Sequence, residues 1–164
     1  ITNIGVEWAN KIDMTTWKVG GNTQNNIYSQ PAKTAYQNEI VNPVTTNSTD
    51  NKTEYSAKIG LMYVSDYMYA APQDKWTLVG YNSDASKDYR AATSVNWMYM
   101  GLYEWTISRY ADNSYYAFRV NNTGNVSYSD VGYDAFGVRP VFNLSSSVNY
   151  VSGSGTAADP ILVN

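Results

Sequence analysis

The sequence predicts an α+β fold, with short helices early and a twisted antiparallel sheet in the C-terminal half. Three observations carry that prediction. Apolar residues recur at helical spacing near the N-terminus, they alternate with period two in the last third, and no internal repeat interrupts either pattern. The 164 residues are read as a single domain, 1–164, long enough to bury about 70% of the unfolded surface.

Ile4, Trp8 and Ile12 stand four apart with Lys11 near the far end, the pattern of a short amphipathic helix within 4–14. Gly20-Gly21 ends that unit before a polar stretch at 22–26. Pro31 opens a second helix carrying Ala32, Ala35, Tyr36, Glu39 and Ile40, and Asn42-Pro43 stops it. The polar segment 45–53 reads as a mobile surface loop. Residues 58–64 form a strand-like run, after which Ser65 and Asp66 are suited to cap a helical turn over 67–71. Residues 80–93 read as loop, and Ser94 or Asn96 caps a turn carrying Trp97, Met98 and Met100.

The last third is strand-rich. Tyr103, Trp105 and Ile107 alternate with Glu104, Thr106 and Ser108, and Tyr116, Phe118 and Val120 alternate with Tyr115, Ala117 and Arg119. Asn121-Asn122-Thr123-Gly124 makes a hairpin loop from which 125–128 returns. Val138, Pro140, Phe142 and Leu144 form one more face, with Arg139 on the opposite one. Proline has no amide proton for a ladder, so Pro140 belongs at an edge or bulge. Residues 148–151 and 161–163 close the chain as two short strands around Gly153-Ser154-Gly155.

Composition narrows the function. The chain holds 16 Tyr and 5 Trp but no His and no Cys. Tyr with Ser, Gly and Asn is the vocabulary of binding loops, because Tyr offers a large rigid surface at low entropy cost. The missing residues are the commonest general base, the best thiol nucleophile and the usual transition-metal ligands. The reading is therefore a binding protein and not an enzyme, with no catalytic residue assigned. A net charge of −3 with 11 scattered basic residues offers no stripe for nucleic acid. No stretch is apolar for long enough to span a bilayer, so no transmembrane segment is read in the chain. Few charges and many Thr, Ser, Asn and Tyr suit an extracellular or cell-surface setting. The chain opens on Ile1, read as a removed leader or anchor or as an excised domain. Sequons at Asn47, Asn51, Asn121, Asn125 and Asn143 fit chance in so Asn-rich a sequence.

Glycosidase action needs two carboxyl groups about 5–9.5 Å apart; Glu104 with Asp66 or Asp134 is the one arrangement on offer. Glu104 is expected instead to pair with Arg109, Arg119 or Arg139. Asp112-Asn113, Asp130 and Asp134 have the hard oxygens calcium takes. Yet no twelve-residue EF-type loop holds them, so no cofactor or metal is assigned, and an incidental calcium ion stays open. The five Trp are expected in the core.

Three stretches carry a resemblance: Lys58-Ile59-Gly60-Leu61-Met62-Tyr63-Val64-Ser65-Asp66-Tyr67, Tyr103-Glu104-Trp105-Thr106-Ile107-Ser108 and Gly137-Val138-Arg139-Pro140-Val141-Phe142-Asn143-Leu144. The tail Gly153-Ser154-Gly155-Thr156 with Asp159-Pro160 completes them. Together they resemble an uncharacterised domain of exported proteins from Gram-positive and related gut bacteria, often behind a prepilin-type leader. The Trp…Ser…Gly-Val-Arg-Pro order is similar to the closing half of C-type-lectin-like folds, including the formylglycine-generating-enzyme branch. That enzyme's cysteines are missing here, so its chemistry is not implied. Variable proteins of diversity-generating retroelements share the fold, and residues 105–139 resemble their variable interval.

The resemblance implies a C-type-lectin-like fold in an exported setting. A ligand surface is expected on the loops of 108–136, built from Tyr110, Asn113, Tyr115, Asn122, Tyr128 and Tyr133, with Trp105 and Arg139 structural. The ligand would be a glycan or a surface protein, and oligomeric state is open. A pilin or pseudopilin head domain is the alternative, and a carboxylate glycosidase the third reading.

Overall fold

The computed structural model describes residues 5–23, 31–45, 52–75, 93–132 and 134–164. It is α+β. The first helix, α1, is Val6–Lys11, followed by strands β1, Thr15–Lys18, and β2, Gly21–Asn22. Helix α2, Ala32–Tyr36, starts after Pro31 at its N-cap and runs into a wider π-type turn, Gln37–Val41, which stops at Asn42. Strands β3, Glu54–Ala57, and β4, Gly60–Leu61, precede helix α3, Val64–Tyr69. Then come β5, Glu104–Tyr110; β6, Tyr116–Val120; β7, Val126–Asp130; β8, Pro140–Val141; β9, Tyr150–Ser152; and β10, Leu162–Val163.

Four strands make the main sheet in the order β2-β5-β6-β7. The predicted hairpin is there: β6 and β7 pair from Tyr116↔Asp130 to Val120↔Val126, and Asn121 N–H donates to Asn125 at 2.8 Å. Gly124 takes the turn's left-handed position, φ 90°, which glycine adopts without strain. The antiparallel sheet gains one element the sequence did not suggest, β2, which joins β5 in parallel. The early region is also more stranded than its weak patterning implied, with β1 pairing β3 from Thr15↔Ala57 to Lys18↔Glu54. Only Gly60–Leu61 of the expected strand over 58–64 forms a ladder, against Pro140–Val141. Proline sits in a two-stranded pair, where an edge absorbs its missing donor. Helix α3 starts one turn earlier than expected, and Asp66 occupies its third position, accepting Tyr63 N–H at 2.9 Å.

The core gathers Met62, Val64, Tyr67 and Met68 from around α3, Phe118 and Val120 from β6, and Val126 from β7. Period-two burial holds along β5, but in the opposite phase to the apolar expectation. Glu104, Thr106, Ser108 and Tyr110 face in, while Trp105 and Ile107 are half-buried on the outer face. The inversion is stable because each inward polar group finds a partner. Thr106 donates to the Phe118 carbonyl at 2.7 Å, Ser108 to Glu39 at 2.7 Å, and Glu104 accepts from Arg139 at 2.7 Å. Around 138–144 the phase is likewise reversed: Val138 and Phe142 are exposed and Arg139 turns inward. At the C-terminus β9 and β10 form the expected hairpin, with Tyr150, Val151, Ile161 and Leu162 all exposed. The segment 45–53 lies largely outside the described residues, as do Trp76 and most of 80–93.

Candidate functional site

The loops of 108–136 divide into buried and exposed residues. Tyr110, expected on the ligand surface, is only 7% exposed. Its ring packs 4.4 Å from Tyr128 and 5.5 Å from Phe118, with Tyr116 edge-on at 5.8 Å. An aromatic at the end of an inward-facing β5 register packs against the interior, so Tyr110 and half-buried Tyr128 are core groups. Tyr115 is 69% exposed, and Asn122 is exposed at the hairpin tip. Asn113 folds its side chain back onto Tyr115 N–H at 2.9 Å, an Asx turn. Tyr133 lies outside the described residues. Trp105 stands half-buried against Phe136 at 4.9 Å, and the Arg119 guanidinium lies 4.9 Å from the Tyr103 ring. Two sequons, Asn121 and Asn125, are buried and closed to glycosylation.

The segment from 93 to 100 presents a second surface. Asn96 Oδ1 accepts Met98 N–H at 2.9 Å and its Nδ2 donates to the Tyr67 carbonyl at 2.8 Å, so Asn96 both makes the turn and ties it to α3. Trp97 N–H donates to the Ala70 carbonyl at 3.2 Å. This tight turn buries Met98 and throws Trp97 outward, 78% exposed. The general tendency of Trp to be buried, which placed it in the core, is overridden by turn geometry. The signal was legible in Asn96, whose capping role fixes the direction of the next side chain.

Beside Trp97 lies an open cleft of about 380 Å³ lined by Met62, Asp66, Tyr69, Met98 and Val141. Its walls are apolar, with Asp66 as the carboxylate. Asp66 Oδ2 accepts Tyr63 N–H, and among the described residues no hydrogen bond engages Oδ1. Desolvation against the wall raises the Asp66 pKa above its ordinary value, the Tyr63 amide opposing that in part. The cleft therefore combines one flat aromatic face with one acceptor-rich group, a common makeup for a ligand pocket.

Behind α3 lies a buried polar group that the cleft does not use. Glu39 is fully buried on the π-type turn, in register with Ala35 on the apolar face of its helix. It accepts Ser108 Oγ–H at 2.7 Å, Ser65 N–H at 3.1 Å and Asn22 Nδ2 at 3.3 Å. All are neutral donors, and burial pushes its carboxyl up to about 7. The network pins β2, β5 and α3 to one point.

Among the described residues no group of three acidic, His or Cys side chains converges as a metal site, and no helix is long and apolar enough to cross a membrane. Comparison with protein-family models, with curated proteins and with solved structures finds no match to this chain.

Proposed function

We propose that this chain is an extracellular binding module of C-type-lectin-like architecture that recognises a glycan by non-covalent contact at the Trp97–Asp66 cleft. The observation that carries the reading is a largely exposed indole beside a carboxylate with an open oxygen. A pyranose ring has an apolar C–H face and a rim of hydroxyls. Trp97 is complementary to the first and Asp66, an acceptor with about four lone-pair sites, to the second. Exposed large aromatics are also the residues that anchor recognition surfaces. The low charge and polar, Tyr-rich composition support placement outside the cell, and the order of the Trp105 and Gly137-Val138-Arg139-Pro140 motifs supports the architecture.

The test is a glycan array followed by titration calorimetry, with calcium and with chelator, on wild type, Trp97→Ala, Asp66→Asn and Tyr115→Ala. Saturable binding that is lost in Trp97→Ala and weakened in Asp66→Asn is the expected result. Binding indifferent to Trp97 but abolished by Tyr115→Ala would return the ligand surface to the 108–136 loops.

A further inference from the structure

A second cavity lies on the outer face of the main sheet. It measures about 250 Å³ and is lined by Val19, Ile107, Arg109, Ser114, Tyr116 and Ala117 among others. The cause is visible in the register. Arg109 on β5 is paired with Gly21 of β2 on one side and Ala117 of β6 on the other. One neighbour has no side chain and the other only a methyl, so neither paired residue fills the space along the long Arg109 side chain. A β-bulge in β5 between Trp105 and Arg109, where four steps along β5 match two along β6, deepens the irregularity.

The guanidinium in this trough is under-used. Nη2 donates to the Lys52 carbonyl at 3.1 Å, but Nη1 is buried with no hydrogen-bond partner. Among the described residues no ion pair includes Arg109. Desolvation lowers its pKa from the ordinary value. A buried, unmet donor on a charged group is costly, about 1–3 kcal/mol or more, and such groups in native proteins call for an explanation. A carboxylate supplies it, because the guanidinium fork matches its two oxygens. Val19, Ile107, Ala111 and Ala117 give the cavity apolar wall beside Ser114, Tyr110 and Tyr116, and the space equals about eight water volumes.

We propose that the Arg109 trough is a binding site for a small carboxylate with an apolar body, separate in residues and in chemistry from the Trp97 cleft. The guanidinium takes the carboxylate, and Val19, Ile107 and Ala117 take the body.

Titration calorimetry with phenylacetate and its neutral counterpart phenylacetamide tests this on the whole chain. Expected are saturable phenylacetate binding with Kd about 1 mM, at least tenfold weaker phenylacetamide binding, and loss of phenylacetate binding in Arg109→Gln. Ala117→Leu, which fills the trough while leaving the charge in place, should abolish binding of both and guards against an unfolded Arg109 variant. No saturable phenylacetate binding to folded wild type, equal affinity for acid and amide, or binding unchanged by Arg109→Gln or by Ala117→Leu overturns the proposal. Because Trp97→Ala should leave phenylacetate affinity within twofold, this site and the glycan cleft stand or fall separately.

Discussion

Arg139 grips the buried carboxylate of Glu104, donating from Nη2 to Oε2 at 2.7 Å and Oε1 at 3.0 Å, and the same nitrogen reaches the Met98 carbonyl at 2.7 Å. One side chain thus joins β5, the segment before β8 and the turn that exposes Trp97. Glu104 is almost fully buried, so removing its partner leaves an uncompensated charge inside the protein.

Arg139→Ala should therefore lower unfolding stability by more than about 2 kcal/mol. It should also loosen the Trp97 turn, since the Met98 carbonyl loses its charged donor. Urea denaturation checks the first effect, and amide exchange at Met98 and Tyr99 checks the second. A midpoint equal to that of wild type would show that the ion pair has no structural weight.

Glu39 makes stability fall as pH rises through the neutral range. Its folded pKa of about 7 lies above the ordinary 4.5. Between those values the native state holds a proton that the unfolded state has released, so the stabilising difference shrinks with each step up in pH. The full contribution is present below 4.5 and is gone above about 7, a loss of about 3 kcal/mol. Asp66, also raised, acts in the same direction. Glu39→Gln should flatten the profile to what Asp66 leaves. Urea midpoints at pH 5 and pH 8 decide it: an undiminished slope in the variant would place the titration elsewhere.

Tyr110 and Tyr115, five residues apart, should respond oppositely to truncation. Tyr110→Ala empties a closed aromatic cluster and should cost about 3–5 kcal/mol. Tyr115→Ala removes an exposed ring and should change stability by less than about 0.5 kcal/mol. Thermal unfolding of the two variants is sufficient. Equal, small effects would mean that the Tyr110 cluster does not contribute to folding.

Much of the fold was legible wherever local chemistry decides structure. Pro31 and Asn42-Pro43 bracketed α2, Asn121 and Gly124 marked the hairpin, and Phe118 with Val120 gave the inward face of β6. The α+β class followed from these. What sequence did not reveal are choices made by distant partners. Period two identified β5 but not its phase, because Glu104, Thr106 and Ser108 are admitted to the interior only by Arg139, Phe118 and Glu39. The short strand β2 carries too few residues for any periodicity to register. The candidate cleft was missed for a related reason: Trp97 looks apolar in sequence, and only the Asn96 turn turns it outward.

Gly21 is a position where a single methyl should disrupt the sheet. Its Cα approaches β5 so closely that a Cβ there would overlap the Arg109 backbone carbonyl, which cannot swing aside as a side chain would. Relief requires β2 to separate from β5. That separation would break Arg109 N–H to the Gly20 carbonyl at 3.1 Å and Ala111 N–H to the Asn22 carbonyl at 2.9 Å. It would also draw Asn22 away from buried Glu39. Gly21→Ala should accordingly cost more than about 2 kcal/mol. Gly132→Ala, where the near neighbour is the Asp130 side chain, should cost less than about 0.5 kcal/mol. Hydrogen exchange supplies the local readout: in a folded Gly21→Ala protein the Arg109 and Ala111 amides should lose protection while those of β6 and β7 keep theirs. Retained protection at Ala111 with an unchanged midpoint would mean that β2 does not depend on the close approach at Gly21.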